Sequence, residues 1–150
     1  MKLKIKRIFL LVFGLVIAHF GVTLFIQADL GADPFNVLIQ GIYRSVPWPE
    51  GLSWSHGRTH IIISFIIIIV LVDKKYVKIG TLICMFLGGP IIDVFTYMLE
   101  DYINNGLSLW SRVFVLVIGC VILAMGMTIV IKSEAGTGPN DLVAIVWSDK

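Results

Sequence analysis

The stretch DLGADPFNVLIQG, residues 29–41, follows an apolar run long enough to cross a membrane, yet it holds two glycines, two aspartates and a proline. A second stretch, EAGTGPNDLVAIV at 134–146, stands in the same relation to another apolar run. Both read as helix starts. Pro34 and Pro139 fit a first helical turn, where the missing N–H is no loss. Asp33 precedes its proline and is placed to act as N-cap. Asp141 falls near the third helical position, where a carboxylate favours the positive helix end. Upstream, Gly31, Gly136 and Gly138 permit a sharp break between the apolar run and a new, shorter helix.

After Pro34, the polar residues Asn36, Gln40 and Arg44 recur every four positions, while Phe35, Leu38, Ile39, Ile42 and Val46 cover the other side. That spacing predicts an amphipathic helix of about 13 residues, too short to cross a bilayer. It either lies in the membrane interface or dips in as a re-entrant half-helix.

Composition sets the class. Hydrophobic residues make up 57% of the 150 and charged residues 15%, with a mean hydropathy of +0.92. Soluble domains carry about 45–50% apolar and about 25% charged residues. The chain therefore reads as a single all-α, multi-pass membrane domain over 1–150 with the lipid bilayer as its first partner. A net charge of +2 is too small to suggest nucleic-acid binding. Cys84 and Cys120 lie in apolar runs without C-x-x-C spacing, so they support neither a disulfide framework nor a zinc site.

Four runs qualify as spans. Residues 8–26 form the first; at 19 residues it exceeds the 7–15 of a signal-peptide core, so it is expected to be retained. The second, 61–72, reaches spanning length only when extended back to residue 53, taking in His56, Arg58 and His60. Its central apolar residues outweigh an arginine near the end, where the guanidinium can snorkel. Residues 79–99 and 113–131 are the third and fourth. Eight basic residues (Lys2, Lys4, Lys6, Arg7, Lys74, Lys75, Lys78 and Lys132) fall on one side, against Arg44, Arg58 and Arg112 on the other. The positive-inside rule then predicts a cytoplasmic N-terminus.

Residues 7–42 and 112–147 align without a gap at an offset of 105, with twelve of 36 positions identical. The matches include Arg7/Arg112, Gly14/Gly119, Gly21/Gly126, Thr23/Thr128, Gly31/Gly136 and Pro34/Pro139. Three spans separate the two starts, so the second copy enters from the opposite face. Such inverted-topology repeats are common in secondary transporters, with solute sites at the repeat interface. The first unit covers about 7–105 and the second, from 112, stops at 150. Either the chain is a shortened form of a protein of roughly 210 residues, or a homo-oligomer or second chain supplies the rest.

Two readings of the paired motifs are open. They cap helices and do nothing more, or two half-helix starts also face one site. In the second case Gly31, Asp33, Pro34, Asn36, Gly136, Gly138, Pro139, Asn140 and Asp141 are the candidate residues, and the helix N–H groups would meet an anion or small polar solute. Asp93 is an intramembrane carboxylate and hence a site candidate. Its depth matches that of Arg58 on the neighbouring run, which favours a structural ion pair over a proton relay or interfacial solvation. His56 and His60 share a helix face but lack further ligands, so no metal is expected. His19 is expected to be a hydrogen-bonded interior residue. No nucleophile–base pair, phosphate loop or dinucleotide fingerprint is visible, so neither an enzyme nor a cofactor is expected.

The segments LGADPFNVLIQG, IGTLICMFLGGPIIDVF and GTGPNDLVAIV together resemble the YczE-like (YczE/YyaS/YitT) bacterial membrane proteins. That resemblance runs through nearly the whole chain. It implies a small multi-pass protein of the bacterial inner membrane with no generally established biochemical activity, and a family length of roughly 60 further residues. Some relatives are connected with regulating secondary-metabolite biosynthesis. The two functions to be weighed are therefore passage or binding of a small solute, and a non-transporting accessory to a cytoplasmic enzyme system.

Overall fold

The structure, a computed structural model, describes residues 2–49, 54–71, 76–103 and 107–148. Residue 53, the expected start of the second span, and Lys74, Lys75 and Lys150, used for orientation, lie outside the described residues. Among the described residues six helices follow in order: α1 Lys2–Ala28, α2 Pro34–Ser45, α3 His56–Leu71, α4 Ile79–Ile103, α5 Leu109–Lys132 and α6 Pro139–Ser148. Helices α1, α4 and α5 are long and apolar enough to cross a membrane. At 16 residues α3 is shorter, about 24 Å against a hydrocarbon core of about 30 Å. It begins where Ser55 caps it: the Ser55 carbonyl accepts from Thr59 N at 3.2 Å and its Oγ from Arg58 N at 3.2 Å.

Side chains are sorted in the opposite sense to a water-soluble bundle. Phe9 and Phe13 of α1, Phe86 and Val94 of α4, and Phe114, Val117 and Val121 of α5 are exposed, whereas Thr23, Thr59, Ser64 and Thr81 are buried. Lipid is as apolar as these outward residues. Helix association there rests on close packing of small residues and internal hydrogen bonds. This distribution assigns a membrane location.

Helix α1 packs chiefly against α5 and α4. Glycines bring α1 and α5 close enough that a Cβ on Gly14 would sit 2.9 Å from the Gly126 carbonyl oxygen, and one on Gly21 2.8 Å from that of Gly119. Gly14 thus meets Gly126 and Gly21 meets Gly119, so the two helices run antiparallel. The pairs are reciprocal under the offset of 105. The ion pairs between described residues obey the same exchange: Arg7 Nη2 meets Glu134 Oε2 at 2.6 Å, and Arg112 Nη1 lies 4.0 Å from Asp29 Oδ2. Such exchanged contacts are what a two-fold arrangement requires.

The linkers repeat the pattern in their backbones. Asp29 and Glu134 have φ of 51° and 55°, and Gly31 and Gly136 have φ of 120° and 145°. The first pair ends the long helices in the left-handed region; the second needs glycine, because no Cβ is tolerated there without strain. Their surroundings differ. Gly136 lies against the start of α4, where Gly80 N donates to the Ala135 carbonyl at 3.1 Å, whereas nothing lies within 4 Å of a Cβ placed on Gly31.

Asp33 caps α2 as its position suggested, with Oδ1 accepting from Phe35 N and Asn36 N at 3.1 Å each. Asp33→Ala is expected to lower stability by about 1 kcal/mol, and Asp33→Asn, an equally good cap, by much less. Chemical unfolding of the purified protein in detergent checks both. The amphipathic pattern of α2 is real, but its direction is set by the bundle. Asn36 is 6% exposed, while Val37 and Leu38 are 50% and 51% exposed. Helix α2 thus turns a mixed face inward, with Asn36 beside the fully buried Ile39, whereas an interfacial helix would keep its polar side in water.

Candidate functional site

The start of α2 does not lie level with the end of α1. The linker 29–33 doubles back, so that Asp33 and Phe35 share a cavity with Leu15, Ala18, His19 and Val22 from the middle of α1. Gly138, Pro139, Asn140 and Asp141, at the start of α6, reach the same cavity from the other linker, beside Leu123 and Met127 of α5. Both short helices are therefore re-entrant with respect to the bundle, and their N-termini converge. The cavity measures about 220 Å³, smaller than the 300 Å³ or more of drug-sized pockets.

Two buried histidines complete it. Gly88 of α4 carries no side chain where a Cβ would sit 2.7 Å from His19 Nε2 and 3.1 Å from His60 Cε1, and this allows both rings to turn into the bundle. His19 and His60 meet edge to face at 6.0 Å between ring centroids, and Phe35 meets His60 at 5.4 Å. His19 Nδ1 is 2.9 Å from the Leu15 carbonyl, which makes it the donor and leaves Nε2 as an acceptor. Asn36 is held on both sides: Nδ2 donates to Asp33 Oδ2 at 2.7 Å, and Oδ1 faces His56 Nε2 at 3.4 Å.

His56 marks the boundary with a second, larger cavity of about 660 Å³ at the end of the bundle where α1 and α4 finish and α3 and α5 begin. Arg44, Arg58 and Arg112 all line it, with Asp29, Gln40 and Asp93. The polar stripe of α2 thus serves two spaces, Asn36 the smaller and Gln40 and Arg44 the larger.

Of the candidate residues, Asp33, Asn36, Gly138, Pro139, Asn140 and Asp141 gather at the small cavity, while Gly31 and Gly136 stay in the linkers. Pro34 is exposed on α2. Arg58 and Asp93 are not brought together as an ion pair. Arg58 is exposed, and Asp93 accepts from Ser55 Oγ at 2.6 Å and from Gly57 N at 2.9 Å. The reason is local: Asp93 on α4 faces the open N–H groups at the start of α3, which compete for a carboxylate as strongly as a guanidinium does. His19, His60 and Phe35 were not among the expected site residues. The signal for the histidines was present, since a titratable side chain in a span is a site candidate wherever it occurs.

Two curated proteins of Bacillus subtilis (strain 168) are similar to this chain. The uncharacterized protein YyaS is 30% identical over 141 residues, which is 91% of this chain and 65% of YyaS. The uncharacterized membrane protein YczE is 29% identical over 139 residues, 91% of this chain and 60% of YczE. The chain thus spans less than two thirds of the length of these relatives. No solved structure matches. The model of the family of unknown function DUF6198 matches residues 5–150, so a bundle of long apolar helices, with two short helices doubling back to one shared cavity, belongs to a member of DUF6198 and relative of YczE and YyaS.

Proposed function

We propose that this protein binds a small polar solute at the cavity between the starts of α2 and α6 and passes it across the bacterial inner membrane. One observation carries the reading. The polar residues Asp33, Asn36, Asn140 and Asp141, drawn from two helix starts 105 residues apart, converge beside the middle of α1. Capping and the helix dipole account for Asp33 and Asp141 singly, but not for their meeting at one cavity with Asn36 and Asn140. The reciprocal contacts of α1 and α5 support an inverted repeat, the arrangement in which transporters place solutes between half-helices. On this reading the N-terminus is cytoplasmic, as the basic residues suggest.

The test is uptake by lipid vesicles containing the purified protein, across a panel of small solutes of each charge. At least one solute should enter, and Asn36→Leu should cut its rate by about tenfold, the effect of one lost hydrogen bond of about 1.4 kcal/mol. Absence of flux for the whole panel, together with co-purification of a soluble enzyme, would overturn the proposal and favour the accessory role.

A further inference from the structure

Charge is divided sharply between the two cavities. The three arginines line the large one, whereas no lysine or arginine is among the described residues lining the small one, which holds Asp33 and Asp141. Two carboxylates in a low-dielectric space without a cation are costly. The helix ends offset part of this, at roughly half a charge each.

Hydrogen bonding points the same way. The donors that a helix start would offer an anion are occupied at α2, where Phe35 N and Asn36 N both donate to Asp33 Oδ1. The amide of Asn36 donates to Asp33, that of Asn140 to Asp141 Oδ1 at 3.3 Å, and His19 Nδ1 to Leu15. At α6 no such cap is in place among the described residues; beyond the Asn140 and Asp141 N–H groups, what remains at the cavity is acceptor capacity on the carboxylates and on His19 Nε2. His60 is 5% exposed, lines the cavity, and has its Nδ1 buried without a hydrogen-bond partner. A buried imidazole left this way implies a missing polar partner.

The remaining wall is apolar: Leu15, Ala18, Val22 and Met127. A bare alkali ion has no use for such a wall, nor for a volume equal to about seven waters at roughly 30 Å³ each. Among the described residues no three His, Cys, Asp or Glu side chains are grouped to hold a metal ion. From this geometry we infer that the solute is a small alkylammonium, its head toward the Asp33 and Asp141 side of the cavity and its chain against the α1 and α5 wall. A protonated amine has three donors and no acceptor, the complement of this lining.

The inference rests on the solute-binding reading above and is tested separately from it. The full chain in lipid nanodiscs is titrated with n-butylammonium, n-butanol and n-butyrate at constant ionic strength, reading the unfolding temperature and heat of binding. The three share a chain and differ in the head group. Butylammonium should raise Tm by roughly 3–6 °C at ten times its Kd, and the other two should not. Asp141→Asn, and Asp33→Asn, which keeps the α2 cap, should each weaken binding about tenfold or more, the size of a lost charge-assisted hydrogen bond. Stabilisation by butanol or butyrate that these variants abolish would overturn the cation while leaving a solute site in place. Stabilisation by butylammonium that neither variant alters would place binding elsewhere and overturn the inference. No shift with any of the three would also overturn it, with the uptake panel still deciding the broader reading.

Discussion

Gly21→Ala should destabilise the folded protein by about 2–3 kcal/mol, because a single methyl group has nowhere to go. The added carbon would sit 2.6 Å from Leu123 N and 2.8 Å from the Gly119 carbonyl oxygen. Both are backbone atoms, so no rotamer change relieves the overlap and α1 must move away from α5. That interface holds α1 against α5, and opening it forfeits dispersion contacts along its whole length. Gly41→Ala is the matched control. It lies in α2 with nothing within 4 Å of a new Cβ, so better helix propensity should raise stability by up to about 1 kcal/mol. Unfolding in mixed detergent, followed by tryptophan fluorescence, compares them. Changes of the same sign in both variants would mean that α1 and α5 do not meet through their glycines.

Asp93→Ala should cost about 2–3 kcal/mol, the loss of two hydrogen bonds to a charged acceptor at a half-buried position. The side chain joins α4 to α3 by taking the Ser55 hydroxyl and the Gly57 amide. The helices are very close there, since a Cβ on Gly57 would overlap the Gly89 carbonyl and the Asp93 carboxylate. A double-mutant cycle of Ser55→Ala with Asp93→Ala should therefore show coupling of about 1 kcal/mol or more. A cycle of Arg58→Gln with Asp93→Asn should be additive to within about 0.5 kcal/mol. Strong coupling in the second cycle would restore the ion pair, and its absence from the first would remove Asp93 from the α3 cap.

The same two residues mark the limit of what the chain disclosed before folding. Depth along a span follows from counting at 1.5 Å per residue, and it correctly brought Asp93 level with the start of α3. Depth does not say which of several donors at that level wins. The Ser55 hydroxyl and the Gly57 N–H are closer because Gly57 and Gly89 let the backbones touch, a fact of how α3 crosses α4.

Local features were legible, because their causes lie within a few residues. The Asp33 cap, the starts of α2 and α6 at Pro34 and Pro139, and the break at glycine depend on backbone geometry over one turn. So were the long apolar helices and the offset of 105, which need only composition and order. Most of the candidate site was also named from sequence, since Asp33, Asn36, Asn140 and Asp141 stand beside those breaks. What the tertiary structure alone decided was where each face points. An amphipathic α2 is consistent with either side facing in, and only its packing against α3, with His56 opposite Asn36, turned the polar stripe toward the cavities. His19 and His60 joined the site because Gly88, on a third helix, leaves room for both rings. The alignment at an offset of 105 likewise matched the glycines in pairs, while the antiparallel packing of α1 and α5 decided that each meets the counterpart of the other. Capping is settled between neighbours in the chain, whereas facing and pairing are settled between elements tens of residues apart, through steric fit that no single segment carries.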